Sequence, residues 1–128
     1  MGVSRDVMMI VPITDAATNP PMRQLSEKTS AAFQKLRPLQ AAKDYDGMLA
    51  LVESLVPTVD PTSYDMALIM DMRAKLYGQK EQSGKAAESW EAALQLSQQY
   101  GYFDEKTTTQ IRRYLAQFRY QLNLNAWF

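Results

Sequence analysis

Two stretches of the sequence align with a period of 38 residues, and this repetition limits the folds that are open to the chain. Residues 44–49 match residues 82–87. The core positions of the two stretches then pair as Met48 with Ala86, Val52 with Trp90, and Leu55 with Ala93. Periods of this length are typical of helical arrays, in which each hairpin buries its apolar face against its neighbours. We therefore expect an all-α fold of stacked antiparallel helical hairpins.

Local signals divide the body of the chain into five predicted helices. Apolar residues recur at helical spacing from about residue 22 onward. Pro38 should kink the last turn of the first helix, because it removes one backbone hydrogen bond. Caps and helix breaks are expected at Asp44, Pro57, Asp60-Pro61, Ser83, Gly101 and Asp104. The predicted helices cover about residues 24–43, 46–56, 61–80, 83–99 and 104–122.

The first 21 residues differ from the rest and are predicted to form an extended N-terminal arm. An apolar run, Val7 to Ile13, precedes polar and proline-rich punctuation in residues 14–22. The alternate apolar residues Val7, Met9 and Val11 could pack on a neighbouring copy or pair as a strand. A remnant of a signal peptide is an alternative, weakened by Asp6 and by the proline in the run. The helical domain is then expected over residues 22–128.

The stretch Gly84 to Leu96 resembles the second helix of a tetratricopeptide repeat. Ala86, Trp90 and Ala93 have the spacing of that family's small and aromatic positions, and residues 43–46 resemble the turn of an earlier repeat. The preceding helix has Ala74 and Tyr77 where the family has a small residue and then an aromatic one. The resemblance covers residues 29–122 as two divergent repeats and a further helix. It implies a short right-handed α-α superhelix whose concave groove receives a peptide or helix of a partner protein.

Six residues are candidates for partner binding in that groove. If the last helix behaves as the first helix of a repeat, its basic residues face the groove together with those of earlier helices. The arginines and the lysine could then hold carboxylates, while the aromatic residues pack against the partner. The candidates are Phe33, Arg37, Lys75, Arg112, Arg119 and Tyr120. A solvated basic face is the alternative interpretation. The lysine-asparagine clamp with which some family members hold chaperone tails is not found here.

Composition argues against most enzyme classes. The chain has no histidine and no cysteine, which removes the commonest general base, thiolate catalysis and the usual zinc ligands. The close acidic pairs at Asp44 and Asp46, and at Asp104 and Glu105, are better explained as helix-terminal acids. We expect no enzymatic activity, no cofactor and no metal. A small hydrolase or transferase that uses Asp, Lys or Tyr is a weaker alternative, because it would need a convergent pocket.

Charge and hydropathy indicate which partners to expect. Fourteen basic residues balance fourteen acidic ones, which disfavours nucleic acid as a partner. No stretch approaches the ~20 apolar residues that span a bilayer, so no membrane insertion is expected. The absence of cysteine is compatible with any compartment, and a cytoplasmic location is favoured over a periplasmic one.

The fifth predicted helix has the apolar face of a first-helix element, but too few residues follow it to form a partner helix. Either this helix is a capping helix, or a longer array or a second copy would cover that face. The leading prediction is therefore a protein-interaction adaptor or scaffold. The alternative is a self-assembly module that oligomerises through the N-terminal arm and the exposed last helix.

Overall fold

The computed structural model describes residues 24–127, and this part of the chain is helical with no strand. The prediction of an all-α fold is therefore confirmed for these residues, whereas the predicted arm, residues 1–21, lies outside them. A 3-10 turn at Val56–Thr58 follows the third helix. The α-helices are α1 (Glu27–Gln34), α2 (Leu36–Ala41), α3 (Tyr45–Leu55), α4 (Tyr64–Gln79), α5 (Ser83–Tyr100) and α6 (Glu105–Trp127).

The first predicted helix is broken at Lys35 into α1 and α2, one turn earlier than expected. The cause is Pro38, which has no N–H to donate to the carbonyl of Gln34. Its ring would also clash with that carbonyl in a continuous helix. The break therefore lies before the proline and not after it. Taken together, α1 and α2 form the first of five helical rods.

Two turns of identical design connect the helices of the two hairpins. The last residues of α2 and α4, Ala41 and Gln79, are 38 residues apart, and so are the first residues of α3 and α5. Lys43 and Glu81 occupy the left-handed region with φ of 56° and 59°. The following N–H groups, of Asp44 and Gln82, donate to carbonyls five residues back at 2.9 Å. Each turn is thus a Schellman motif, and the sequence period extends to the backbone.

Two predicted boundaries and one predicted cap are wrong at the helix ends. Helix α4 begins at Tyr64 and not at 61, because Ser63 accepts the capping hydrogen bond from Met66 N–H. Asp60 instead accepts from the N–H and hydroxyl of Thr62 in the preceding turn. The N-cap of α5 is Gln82, so Ser83 is the first helical residue and not the cap.

The third of these errors concerns α6, which continues past 122 to Trp127. Residues 121–126 contain neither glycine nor proline, and nothing in them stops a helix. The caps at Asp44 and Asp104 are as predicted, with Gly47 N–H and Thr107 N–H as their donors.

Each helix packs mainly on its neighbours in sequence, and α4 contributes to both hydrophobic cores. One core joins α1, α2 and α3 to Ile69 and Leu76 of α4. The other joins Ala74 and Tyr77 of α4 to α5 and α6. Ala74, Ala86 and Ala93 are fully buried, and such small side chains let α4 and α5 approach closely. The described helices therefore form a layered stack, in which the apolar face of each helix is buried by the next helix along the chain.

A buried carboxylate links the first helix to the second hairpin. Asp65, in the first turn of α4, accepts hydrogen bonds from the hydroxyl of Ser26 at 2.6 Å and from that of Thr29 at 2.8 Å. The Ser26 N–H donates to the same carboxylate at 3.1 Å. Ser26 is the N-cap of α1, and Asp65 lies in the first turn of α4. The negative charge of Asp65 therefore stabilises the N-termini of both helices. This contact fixes α1 beside α4.

Candidate functional site

A cleft of about 920 Å³ crosses the first, third and last rods; we call it the central cleft. Side chains from α1, α2, α4 and α6 form its walls, with residues of α3 and α5 beneath them. Its apolar lining consists of Phe33, Leu36, Tyr45, Met48, Met72, Leu76, Trp90, Tyr114 and Phe118. Its polar lining consists of Arg37, Gln40, Lys75, Gln79, Glu81 and Gln117.

An aromatic stack forms part of the floor of the central cleft. The Trp90 ring stacks on Tyr114, with centroids 5.3 Å apart, and lies at the same distance from Phe118 in a tilted arrangement. Trp90 donates its indole N–H to Asp71 at 3.1 Å, which fixes the ring. A Cβ on Gly78 would lie 2.9 Å from the Phe118 ring, so the glycine allows this ring to approach α4.

Cationic groups are placed on the walls above this apolar floor. Arg37 is exposed on α2. The ammonium of Lys75 lies 3.0 Å from Asp71 one turn earlier in α4, but the lysine side chain is 54% exposed. A surface ion pair of this kind contributes ~0.5 kcal/mol, so little is lost when the lysine turns to another carboxylate. The cleft therefore combines an aromatic floor with two cationic side chains, Arg37 and Lys75, that are available to bind a carboxylate of another molecule.

Three of the six predicted binding residues, Phe33, Arg37 and Lys75, line the central cleft together. Arg112 and Arg119 lie elsewhere, on a second groove of about 560 Å³ between α5 and α6, where Arg119 pairs with Glu91. Tyr120 is 65% exposed and lines neither of the two. The structure thus divides five of the six predicted residues between two surfaces and leaves Tyr120 on neither.

The division arises from the rotation of α6 about its axis. Arg112 and Tyr114 are two residues apart, or ~200° around a helix, so they point to nearly opposite sides. Stacking on Trp90 directs Tyr114 and Phe118 inward, and Gln117 follows them into the central cleft. These aromatics were not among the six candidates from the sequence. The i,i+4 spacing of Tyr114 and Phe118 is the signal that could have identified this face.

A polar network on the other side of α4 was also missed from the sequence. Arg73 donates to Glu53 of α3 at 2.5 Å and to the hydroxyl of Ser89 in α5 at 2.7 Å. The Tyr77 hydroxyl donates to the second oxygen of Glu53 at 3.0 Å. The guanidinium carbon of Arg73 and the ammonium of Lys85 lie 5.1 Å and 5.3 Å from the centre of the Tyr77 ring. The network connects three successive helices.

The electrostatics of this network favour the charged pair. Burial alone would raise the pKa of Glu53, but the hydrogen bonds from Arg73 and Tyr77 and the nearby positive charges lower it below its ordinary value. Burial and the hydrogen bond to Glu53 raise the pKa of Tyr77. Glu53 is therefore ionised and Tyr77 neutral near neutral pH. We interpret this network as a structural brace, because its donors and acceptors already satisfy one another.

The described residues contain no group of three or more acidic residues that could hold a metal ion. Within the same range, no helix has both the length and the apolar character needed to cross a bilayer. Comparison of the chain with protein-family models, with curated proteins and with solved structures found no match in any of the three.

Proposed function

We propose that this chain is a protein-interaction module of the tetratricopeptide kind, which binds a peptide or a helix of a partner protein in the central cleft. In this proposal the chain acts as an adaptor or scaffold, with no catalytic role and no cofactor. The observation that carries the proposal is the cleft itself, in which Phe33, Arg37 and Lys75 from separate helices border one concavity of about 920 Å³.

The chemistry of the cleft favours an amphipathic peptide with at least one carboxylate. The half-buried rings of Phe33, Tyr114 and Phe118 offer apolar surface to a side chain of the partner. Arg37 can bind a carboxylate through two parallel hydrogen bonds, and Lys75 adds a compact positive charge. Burial of a few anchoring side chains supplies most of the affinity in interfaces of this kind.

Two features support the assignment to tetratricopeptide-like repeats and to a right-handed superhelix. The turns at Lys43 and Glu81 are alike and 38 residues apart. The buried alanines of the second hairpin, Ala74, Ala86 and Ala93, occupy the positions where the family has small residues. Repeats of this design stack into curved arrays whose first helices line the concave side.

The proposal can be tested before any partner is identified. Twelve-residue peptides selected from a displayed random library on the full chain should be enriched in acidic and aromatic residues. Their Kd should rise at least tenfold for the double variant Arg37→Glu, Lys75→Glu, because each lost charge-assisted contact contributes ~1.5–3 kcal/mol. Lys28→Glu reverses one exposed charge of α1 outside the cleft and serves as the control. Selected peptides that bind the double variant as well as the wild type would contradict the proposal.

Self-assembly through the last helix is the second candidate function, and one observation favours it. Tyr120 is 65% exposed and Leu122 is 36% exposed on the last helix, so α6 presents apolar groups to solvent. A second copy could cover them. This candidate predicts a dimer mass by light scattering that falls to the monomer mass in the double variant Tyr120→Lys, Leu122→Lys. A monomer at ~100 μM in the wild type would eliminate it.

A further inference from the structure

The longest uninterrupted apolar run of the sequence is Val7 to Ile13, seven residues that include one proline. The next longest runs, residues 48–52 and 66–70, have five residues each and belong to the helices α3 and α4. An exposed apolar surface of this length is unfavourable in water unless something covers it. The central cleft has a volume of about 920 Å³, and its floor is aromatic. The chain therefore carries an apolar segment and an apolar cleft of its own.

The connection between the two is long enough for them to meet. Residues 14–25 join Ile13 to Ser26, the N-cap of α1. Twelve residues span up to ~40 Å when extended. The cleft residues Phe33 to Gln40 lie within ~20 Å of Ser26, because α1 and α2 rise 1.5 Å per residue and the break between them can only shorten the direct distance. The linker thus reaches the cleft with slack, and it needs no unfolding of α1.

Covalent attachment strengthens such a contact considerably. A short tether gives an effective concentration of about 1 mM, so a segment with an intrinsic Kd of about 0.1 mM would occupy its site roughly nine-tenths of the time. Pro12 loses less conformational freedom on docking than the other residues of the run, because its ring already fixes its φ.

We propose that residues 7–13 of this chain dock in its own central cleft. The segment is then an intramolecular ligand, and a partner peptide must displace it. Regulation of partner binding by this segment rests on the proposed function, whereas the docking itself does not. An experiment that measures docking alone can therefore fail without contradicting the proposed partner binding, and the partner-binding test can fail without contradicting docking.

The chain has no cysteine, so disulfide trapping can be performed on the full chain without background. Ile10→Cys is combined with Gln117→Cys in the cleft wall of α6, or with Gln40→Cys in the opposite wall. The control combines Ile10→Cys with Gln95→Cys, a glutamine on the α5–α6 groove. Oxidised glutathione is the oxidant, and intramolecular disulfides are followed by mass and by gel mobility. Closure requires the two Cα atoms to come within ~7 Å.

Docking predicts that both cleft pairs close at least ten times faster than the control pair. Adding Val11→Asp to a cleft pair should reduce its rate to that of the control, because the charge would have to enter the aromatic floor. Equal rates for cleft and control pairs would overturn the proposal. Disulfides that are predominantly intermolecular would also overturn it, since they would assign the segment to the cleft of a second copy.

Discussion

At the residue scale, the helix ends that the sequence predicted correctly depend on interactions within four residues. Asp44 and Asp104 each accept from an N–H three positions later, and Gly101 ends α5 with φ of 70°. Such signals can be recognised locally. The start of α4 was predicted wrongly because Asp60 and Ser63 are both good caps. Ser63 caps the helix, and Asp60 stabilises the turn before it.

Gly101 provides a direct test at this scale. Gly101→Ala should lower the free energy of unfolding by about 1 kcal/mol, because a Cβ is unfavourable in the left-handed region. Gly84→Ala is the matched control within α5, since a Cβ there meets only Leu122, at 3.8 Å. The control should be neutral or slightly stabilising. Urea unfolding of both variants measures the difference, and equal effects would contradict the role of φ.

At the element scale, the contacts that position the helices could not be predicted from local patterns. Arg73 reaches partners 20 and 16 residues away, and Asp65 reaches Ser26 across 39 residues. In the sequence these two are ordinary charged residues on helices that were recognised by their apolar positions. Whether such a residue faces solvent or a neighbouring helix depends on the rotation of both helices, which the period of one helix does not determine.

Asp65 should make a large contribution to the docking of α1. Asp65→Ala should lower the free energy of unfolding by about 2–3 kcal/mol, because it removes acceptors from Ser26 and from the buried hydroxyl of Thr29. Thr29→Val removes one donor with little change of shape. A double-mutant cycle between the two positions, measured by urea unfolding, should give a coupling energy above about 1 kcal/mol. Strict additivity would show that the hydrogen bond contributes nothing to stability.

Glu53 should make stability depend on pH in acid. Its pKa is lower in the folded chain than its ordinary value of 4.5, so its charged form stabilises the fold above about pH 4.5. That contribution is lost as the pH falls through the lowered pKa. The difference in unfolding free energy between wild type and Glu53→Gln should therefore shrink from pH 7 to pH 3. Urea titrations at each pH measure it.

Glu88→Gln is the control for this experiment. The Glu88 carboxylate is 3.7 Å from Arg73, but its side chain is 75% exposed, so its contribution to stability should be small at every pH. A difference for Glu53→Gln that stays constant across the range would contradict the network.

At the scale of the whole molecule, sequence patterns were sufficient for the class of fold and for three residues that border one cleft. The 38-residue period and the spacing of the alanines indicated stacked hairpins, because closely packed helices need small residues at regular positions. These alanines are buried in the structure. Phe33, Arg37 and Lys75 lie on one concavity, since α1 and α2 form the first rod and α4 forms the third, and alternate rods share a side. Arg112 and Arg119 do not join them, because stacking on Trp90 sets the rotation of α6.

Trp90 tests whether the layers depend on one another. It is 3% exposed and joins α5 to two aromatic rings of α6. Trp90→Ala should lower the free energy of unfolding by about 3–5 kcal/mol, a large share of the stability of a domain of this size. Tyr120→Ala, on the exposed side of the same α6, should change it by less than about 0.5 kcal/mol. We expect a single transition in thermal and urea unfolding. A separate transition of α6, with the other helices still folded, would show that the layers are independent.

The central claim is that the central cleft, and not the α5–α6 groove, receives the partner. The most direct measurement is a map of backbone amide chemical shifts of the full chain as a selected acidic peptide is titrated in. We expect the largest changes to cluster on α2, on the second half of α4 and around Tyr114 to Phe118. Changes that instead centre on Arg112, Arg119 and Tyr120 would contradict the claim and would transfer the binding site to the other side of α6.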